Sequence, residues 1–281
     1  MDRLSRILSI VLIAIVGLWA LEPITEAKNK NNDFSKVVIP KGCSRLVFSD
    51  EFDIDGPVDS TKWNFQLGYY IPSEMQYYTK ENAWCEDSKL IIEARNDSLM
   101  IDGKLIPVTS ARLNTRDKFA WKYGYIEFRA KIPSFVGSWP ALWMGPQKKI
   151  YGESGTDSGE IDIMEHVGFD PEKLYFAAHS NKYNPTNGVQ MNKAVYNPDC
   201  TDGFHTYGLR HTPDRLIWYY DGKKQFELKK EKNADWITWP FDNEFFLIMN
   251  LAIGGGWGGA KGVDLSALPA RMEIDYVRVF E

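Results

Sequence analysis

From Leu46 onward apolar and polar residues alternate in short runs with a period near two, the spacing of a strand with one packed face. Leu46-Val47-Phe48, Leu90-Ile91-Ile92-Glu93-Ala94, the run Tyr125 to Lys131, Leu216 to Tyr220 and Ile274 to Val279 all carry this signature. Turn-forming residues separate them, and Asp221-Gly222 directly after Tyr220 is a strong hairpin signal. No stretch shows a sustained helical period, no internal repeat is visible and no linker divides the chain. The pattern predicts an all-β chain of two packed antiparallel sheets, folded as a single domain over residues 37–281. Patterning leaves open which sandwich or barrel this is.

One run departs from simple alternation. In Ser158-Gly159-Glu160-Ile161-Asp162-Ile163-Met164-Glu165-His166, Glu160 and Asp162 share a face while Ile161 and Ile163 take the other. Continued alternation would expose Met164 and bury Glu165, which is costly for a carboxylate. A β-bulge near Met164 returns Glu165 to the face of Glu160 and Asp162 and sends His166 toward the core. Three carboxylates side by side repel one another, so at least one keeps a proton at neutral pH. Paired carboxyl groups in two protonation states are what glycosidic bond cleavage requires. A solvated acidic edge strand is the alternative.

Upstream, Trp139-Pro140-Ala141-Leu142-Trp143-Met144 puts two tryptophans on one strand face with a small residue between them. Leu142 and Met144 then point inward. Such a surface stacks sugar rings; as bare spacing it also suits two core tryptophans. His179, one hairpin beyond the acidic strand, could donate to a hydroxyl or be satisfied locally. Trp257, in Gly254-Gly255-Gly256-Trp257-Gly258-Gly259, sits in a loop pliable enough to bring its ring over a cleft rim, or is an exposed structural ring. Arg129 shares a face with Glu127 and Lys131 and reads as structural.

Composition narrows the classes. A chain of 281 residues that is 44% hydrophobic can build one large core, and an aromatic share of 14% with ten tryptophans supplies rings beyond its needs. The net charge of −5, without a basic run, argues against nucleic acid as a partner. Arg3 and Arg6 precede an apolar run from Ile7 to Leu21, short for a membrane span and right for an export signal; residues 1–27 are expected as a signal peptide and 28–36 as a disordered leader. This implies an exported protein without stable membrane insertion, an uncleaved anchor being the alternative. Cys43, Cys85 and Cys200 allow at most one intramolecular disulfide and are expected as small buried residues; they lack metal-ligand spacing.

The E-x-D-x-x-E spacing of Glu160, Asp162 and Glu165, within Gly159 to Gly168 (GEIDIMEHVG), resembles glycoside hydrolase family 16 in its bulged, laminarinase-like form. Phe48 to Asp53, Trp63, Gln76-Tyr77-Tyr78-Thr79, Thr109 to Leu113, Tyr123 to Lys131 and Asp275 to Val279 extend the similarity over nearly the whole mature chain. The resemblance implies a concanavalin-like jelly roll with a concave sugar cleft. It implies Glu160 as nucleophile, Glu165 as general acid and base, and Asp162 as the group tuning both. Trp139 and Trp143 would lie in the cleft, and Arg112 would meet sugar hydroxyls, unless it is a surface cation or charge partner. The chemistry needs no cofactor; some members carry a structural calcium, for which Glu51 and Asp275 would be the matching acids. The expected partner is a polysaccharide or glycan, and the expected state a monomer. Where members usually carry a tryptophan and paired asparagines, this chain has Tyr69-Tyr70-Ile71-Pro72-Ser73, and Tyr151 to Asp157 lacks the usual Trp-Pro. Cleft loops set substrate choice. The resemblance therefore leaves β-1,3-glucan and β-galactoside both open, with a non-catalytic lectin-like binder or a transglycosylase as further alternatives.

Overall fold

Eighteen strands account for the architecture, and the structure, a computed structural model, describes residues 39–281. The segments read as signal and leader, 1–27 and 28–36, lie outside the described residues. In chain order the strands begin with β1 (Leu46–Asp50), β2 (Asn64–Phe65), β3 (Tyr77–Tyr78), β4 (Ala83–Cys85), β5 (Leu90–Ile101) and β6 (Lys104–Ser110). Next come β7 (Arg112–Asn114), β8 (Ala120–Trp121), β9 (Gly124–Lys131), β10 (Ser138–Pro146), β11 (Glu160–Glu165) and β12 (Lys173–His179). The last six are β13 (Met191–Tyr196), β14 (His205–Thr212), β15 (Arg215–Tyr220), β16 (Lys223–Lys229), β17 (Phe245–Ile253) and β18 (Ala270–Phe280).

They form two sheets. One runs β16-β15-β14-β9-β18-β5-β6-β3, with β1 on β18 and β4 on β5; the other runs β13-β12-β11-β10-β17-β7-β2, with β8 on β17. Pairing is antiparallel except for a short parallel ladder between β3 and β6, which the alternation pattern did not anticipate. Every strand expected from the sequence is present; β5 runs on to Ile101 to form a hairpin with β6. The Asp221-Gly222 turn joins β15 to β16 with φ of 46° and 69°, the left-handed pair a tight hairpin needs.

The core fills the space between the sheets. Ile161, Ile163, Met164, Leu142 and Met144 face Ile126, Phe128, Trp218, Ile274 and Val277, all buried. Burial of a side chain such as Met164 is worth about 1.5–3 kcal/mol, and moving a carboxylate into that layer would cost still more. The unbulged register would forfeit the first and incur the second, so it loses. In the observed register β11 breaks its ladder with β12 between Asp162 and Glu165, and its ladder with β10 shifts between Leu142 and Trp143. Glu160, Asp162 and Glu165 consequently stand opposite His179, Ala177 and Tyr175, evenly spaced two residues apart. The extra residue converts an uneven spacing in sequence into an even row in space.

Both ends of β11 are pinned by glycines. Gly159 enters the strand at φ 91°, where a Cβ would also lie 3.0 Å from Phe245. Gly168 donates its N–H to the Ser138 carbonyl at 3.0 Å, and a Cβ there would lie 1.8 Å from the Phe135 carbonyl oxygen. Gly168→Ala is therefore expected to lower the unfolding free energy by at least about 1–3 kcal/mol, read as a lower urea midpoint. An unchanged midpoint would contradict the close approach.

Candidate active site

The face of the β13-to-β2 sheet turned away from the core carries a groove of about 1020 Å³. That volume stands at the upper end for small-ligand pockets and suits several sugar rings. Its floor is methyl-sized: Ala141 on β10, Ala177 on β12 and Ala252 on β17 line it and are buried. Small side chains here follow from alternation, since the same strands send Leu142, Phe176 and Leu251 into the core.

The three acids of β11 rise beside this floor, and each has a different neighbourhood. Glu165 Oε1 accepts the indole N–H of Trp139 at 3.0 Å. Asp162 Oδ2 lies 3.1 Å from His179 Nε2, which is 3.9 Å from Glu160 Oε1. Apart from this close approach to His179 the Asp162 oxygen has no hydrogen-bond partner, and His179 Nδ1 has none. The backbone carbonyl of Asp162 accepts from Trp218 Nε1 at 2.8 Å, across the core from the facing sheet.

Aromatic rings flank the acids on both sides. Trp139 meets Trp257 edge-on at 5.4 Å, and Trp257 meets Tyr175 edge-on at 4.7 Å. On the other side Trp143 donates its N–H to Asn250 Oδ1 at 2.7 Å. Arg112 is held between rings, its guanidinium 3.6 Å from the Tyr70 ring and 4.6 Å from the Trp143 ring. Trp139, Trp143, Arg112, His179 and Trp257 thus all line one groove with the acids. Arg112 is buried, which replaces the surface-cation alternative with a stacked cation in the groove wall. His179 stands against the acids rather than out at the rim. His166 is buried, its ring nitrogens 2.9 Å from the Lys173 carbonyl and 3.1 Å from Ser134 Oγ.

Several lining residues were not singled out from the sequence. Tyr175 and Ala177 could have been, because they share parity with His179. Asn250 is a lone polar residue in the apolar run Phe245 to Ile253, a signal that it faces something other than the core. Tyr70 belongs to the segment that departs from the family pattern, and Glu74 directly follows it. Glu74 takes a 2.6 Å hydrogen bond from Gln76. Ser73 is exposed.

Burial dominates the electrostatics. It pushes Glu160 up to about 7, with a further rise from Asp162, partly offset by His179 and Arg112. Burial likewise raises Asp162 to about 7. Glu165 is raised well above the ordinary carboxyl range by burial and then by Asp162, against the Trp139 hydrogen bond. Groups so placed hold protons near neutral pH, the state an acid catalyst needs.

The two acids suggested for calcium sit elsewhere and do not fit that ion. Arg278 grips both oxygens of Glu51, at 2.9 and 2.8 Å, and Asp275 Oδ2 accepts from Arg129 at 2.6 Å. A calcium ion needs six or more oxygens and would have to displace these guanidinium groups. Cys43, Cys85 and Cys200 are buried free thiols. Among the described residues no helix is long and apolar enough to cross a membrane.

Comparison with known proteins agrees with this geometry. The model of the glycosyl hydrolases family 16 matches residues 74–278. A β-glucanase of Rhodothermus marinus is 44% identical over 245 residues, 84% of each chain. The X-ray structure of the laminarinase from Rhodothermus marinus superposes with a TM-score of 0.80 at 42% identity, covering 86% of this chain and 99% of that one. A keratan-sulfate endo-1,4-β-galactosidase of Sphingobacterium multivorum is 30% identical over 260 residues, 92% of this chain and 60% of its own length.

Raised carboxyl pKa values make a stability statement. The folded chain binds these protons more tightly than the unfolded one, whose values lie near 3.8 and 4.5. The contribution is complete below that range and is lost as pH rises through about 7. Glu165→Gln removes one of the coupled titrations, so its loss of melting temperature between about pH 5 and about pH 8 should be smaller than that of the wild type. Calorimetric scans at both pH values check this, and equal losses would refute it.

Proposed function

The chain belongs to glycosyl hydrolase family 16, and from that premise we propose that it is a retaining endo-glycosidase that cleaves internal β-1,3 bonds of a glucan. The observation that carries the reading is the even row of Glu160, Asp162 and Glu165 beside an alanine floor flanked by Trp139 and Trp143. Repelling, desolvated carboxylates are costly to a fold, and a binding protein would gain nothing from them.

In the first step Glu160 attacks the anomeric carbon while Glu165 gives its proton to the departing glycosidic oxygen. In the second, Glu165, now ionised, takes a proton from water, whose oxygen displaces Glu160 and frees the sugar. Asp162, between them, raises the proton affinity of both neighbours through its charge, and Arg112 favours the ionised form of Glu160. Turnover falls at low pH as Glu160 gains a proton and at high pH as Glu165 loses one. Interception of the intermediate by a sugar instead of water would give transglycosylation.

Glucan is favoured because the β-glucanase and laminarinase relatives are the more similar and cover most of the chain. A second reading, β-galactoside cleavage, draws on the keratan-sulfate-degrading relative and on the altered Tyr69 to Ser73 segment, whose Tyr70 stacks on Arg112. Export, read from Arg3, Arg6 and the apolar run Ile7 to Leu21, suits a polymer substrate.

A panel of laminarin, mixed-linkage glucan, agarose, keratan and mucin glycans, with products read by mass, tests substrate and mode. Oligosaccharides released from laminarin are the expected result; products from keratan or mucin glycans alone would move the assignment to galactosides. Product lengths separate hydrolysis from transfer. Glu160→Gln and Glu165→Gln should each lower kcat at least about a hundredfold while leaving fold and polysaccharide binding in place. Near-wild-type turnover in either would refute the roles given to these residues.

A further inference from the structure

The catalytic row has a second chemical character. Glu160 Oε1, Asp162 Oδ2 and His179 Nε2 all lie within 4.8 Å of one another. The nitrogen stands 3.1 Å from one oxygen and 3.9 Å from the other, which brackets the spacing of about 3.4 Å between ligands on a tetrahedral ion with bonds of about 2.1 Å. Asp162 Oδ2 is buried and has no hydrogen-bond partner. A buried carboxylate oxygen whose one polar neighbour is an imidazole nitrogen at 3.1 Å has the spacing of two ligands on a common ion. Glu160 keeps 30% of its side chain open to the groove, so it can swing the remaining few tenths of an ångström.

We propose that Glu160, Asp162 and His179 form a divalent transition-metal site, with Zn²⁺ its best occupant, and that the bound ion competes with substrate. One imidazole and two carboxylates with an open side toward the groove match three-ligand zinc coordination. They are too few for calcium, and the imidazole suits zinc better than magnesium, which prefers oxygen. The ion is a reversible inhibitor rather than a resident cofactor. In a resident site the second ring nitrogen of a metal-bound histidine is anchored, and losing such an anchor costs about 10–100-fold in affinity. Here that nitrogen, Nδ1 of His179, has no partner. Occupancy ties up the oxygen with which Glu160 would attack and fills the space above the alanine floor. Zinc and sugar therefore exclude each other.

Titration of Zn²⁺ into the intact protein in a non-chelating buffer, followed by calorimetry, is the direct test. One ion per chain is expected, with affinity lowered more than about tenfold in His179→Ala. Asp162→Asn, close in shape, serves if His179→Ala does not fold, and Cys85→Ser should leave binding intact. With laminarin as substrate, zinc should raise the apparent KM at constant kcat, and EDTA should reverse the effect. Undiminished zinc affinity in both site variants, absence of binding at a large excess of zinc, or inhibition that lowers kcat at constant KM would overturn the proposal. The calorimetric arm needs no turnover, so it stands whether or not laminarin is the substrate.

Discussion

A single hydrogen bond across the core, from Trp218 Nε1 to the Asp162 carbonyl at 2.8 Å, ties the strand of the three acids to the opposite sheet. Asp162 is the residue at which the ladder between β11 and β12 breaks. A carbonyl left unmatched in that interior would cost about 1–3 kcal/mol, as much as the bulge gains by burying Met164. With the indole in place the break is tolerated, and the even spacing of the three acids follows from it. Trp218 is fully buried among the residues that fill the sandwich, so the register of the three acids is fixed by core packing and not by the groove itself.

This division of labour explains what could be read from the sequence. The parity argument located the bulge, because it weighs one apolar side chain against one carboxylate within a single strand. The four-residue spacing of Trp139 and Trp143 placed both rings on one face for the same local reason, while the family resemblance, not the spacing, turned that face toward a groove. Trp218 gave no such signal: its alternation says only that it points inward, and its partner lies 56 residues away in sequence. Arg112 between Tyr70 and Trp143 was equally hidden, since three separate segments meet there. The parallel ladder of β3 with β6 is two residues long and leaves almost no periodicity to detect.

The acids of the two sheets obey opposite rules. In the sheet opposite the acidic row, Glu127 takes hydrogen bonds from the hydroxyls of Tyr125 and Tyr276, both at 2.7 Å, while Glu51 and Asp275 are matched by arginines. In the groove Asp162 and His179 each keep an unmatched polar atom. Desolvated groups short of partners weaken a fold but respond strongly to any arriving hydroxyl, proton or cation.

The alanine floor has a consequence for how such a scaffold can diversify. Three methyl groups from β12, β10 and β17, on either side of the acidic strand, form a depth gauge that would set how far a pyranose descends toward the carboxylates. A bulkier group at Ala141, Ala177 or Ala252 would lift every sugar alike, whatever its stereochemistry. New specificities are therefore more accessible through rim segments such as Tyr69 to Ser73, which would meet a bound chain from the side and leave the height of its anomeric carbon unchanged.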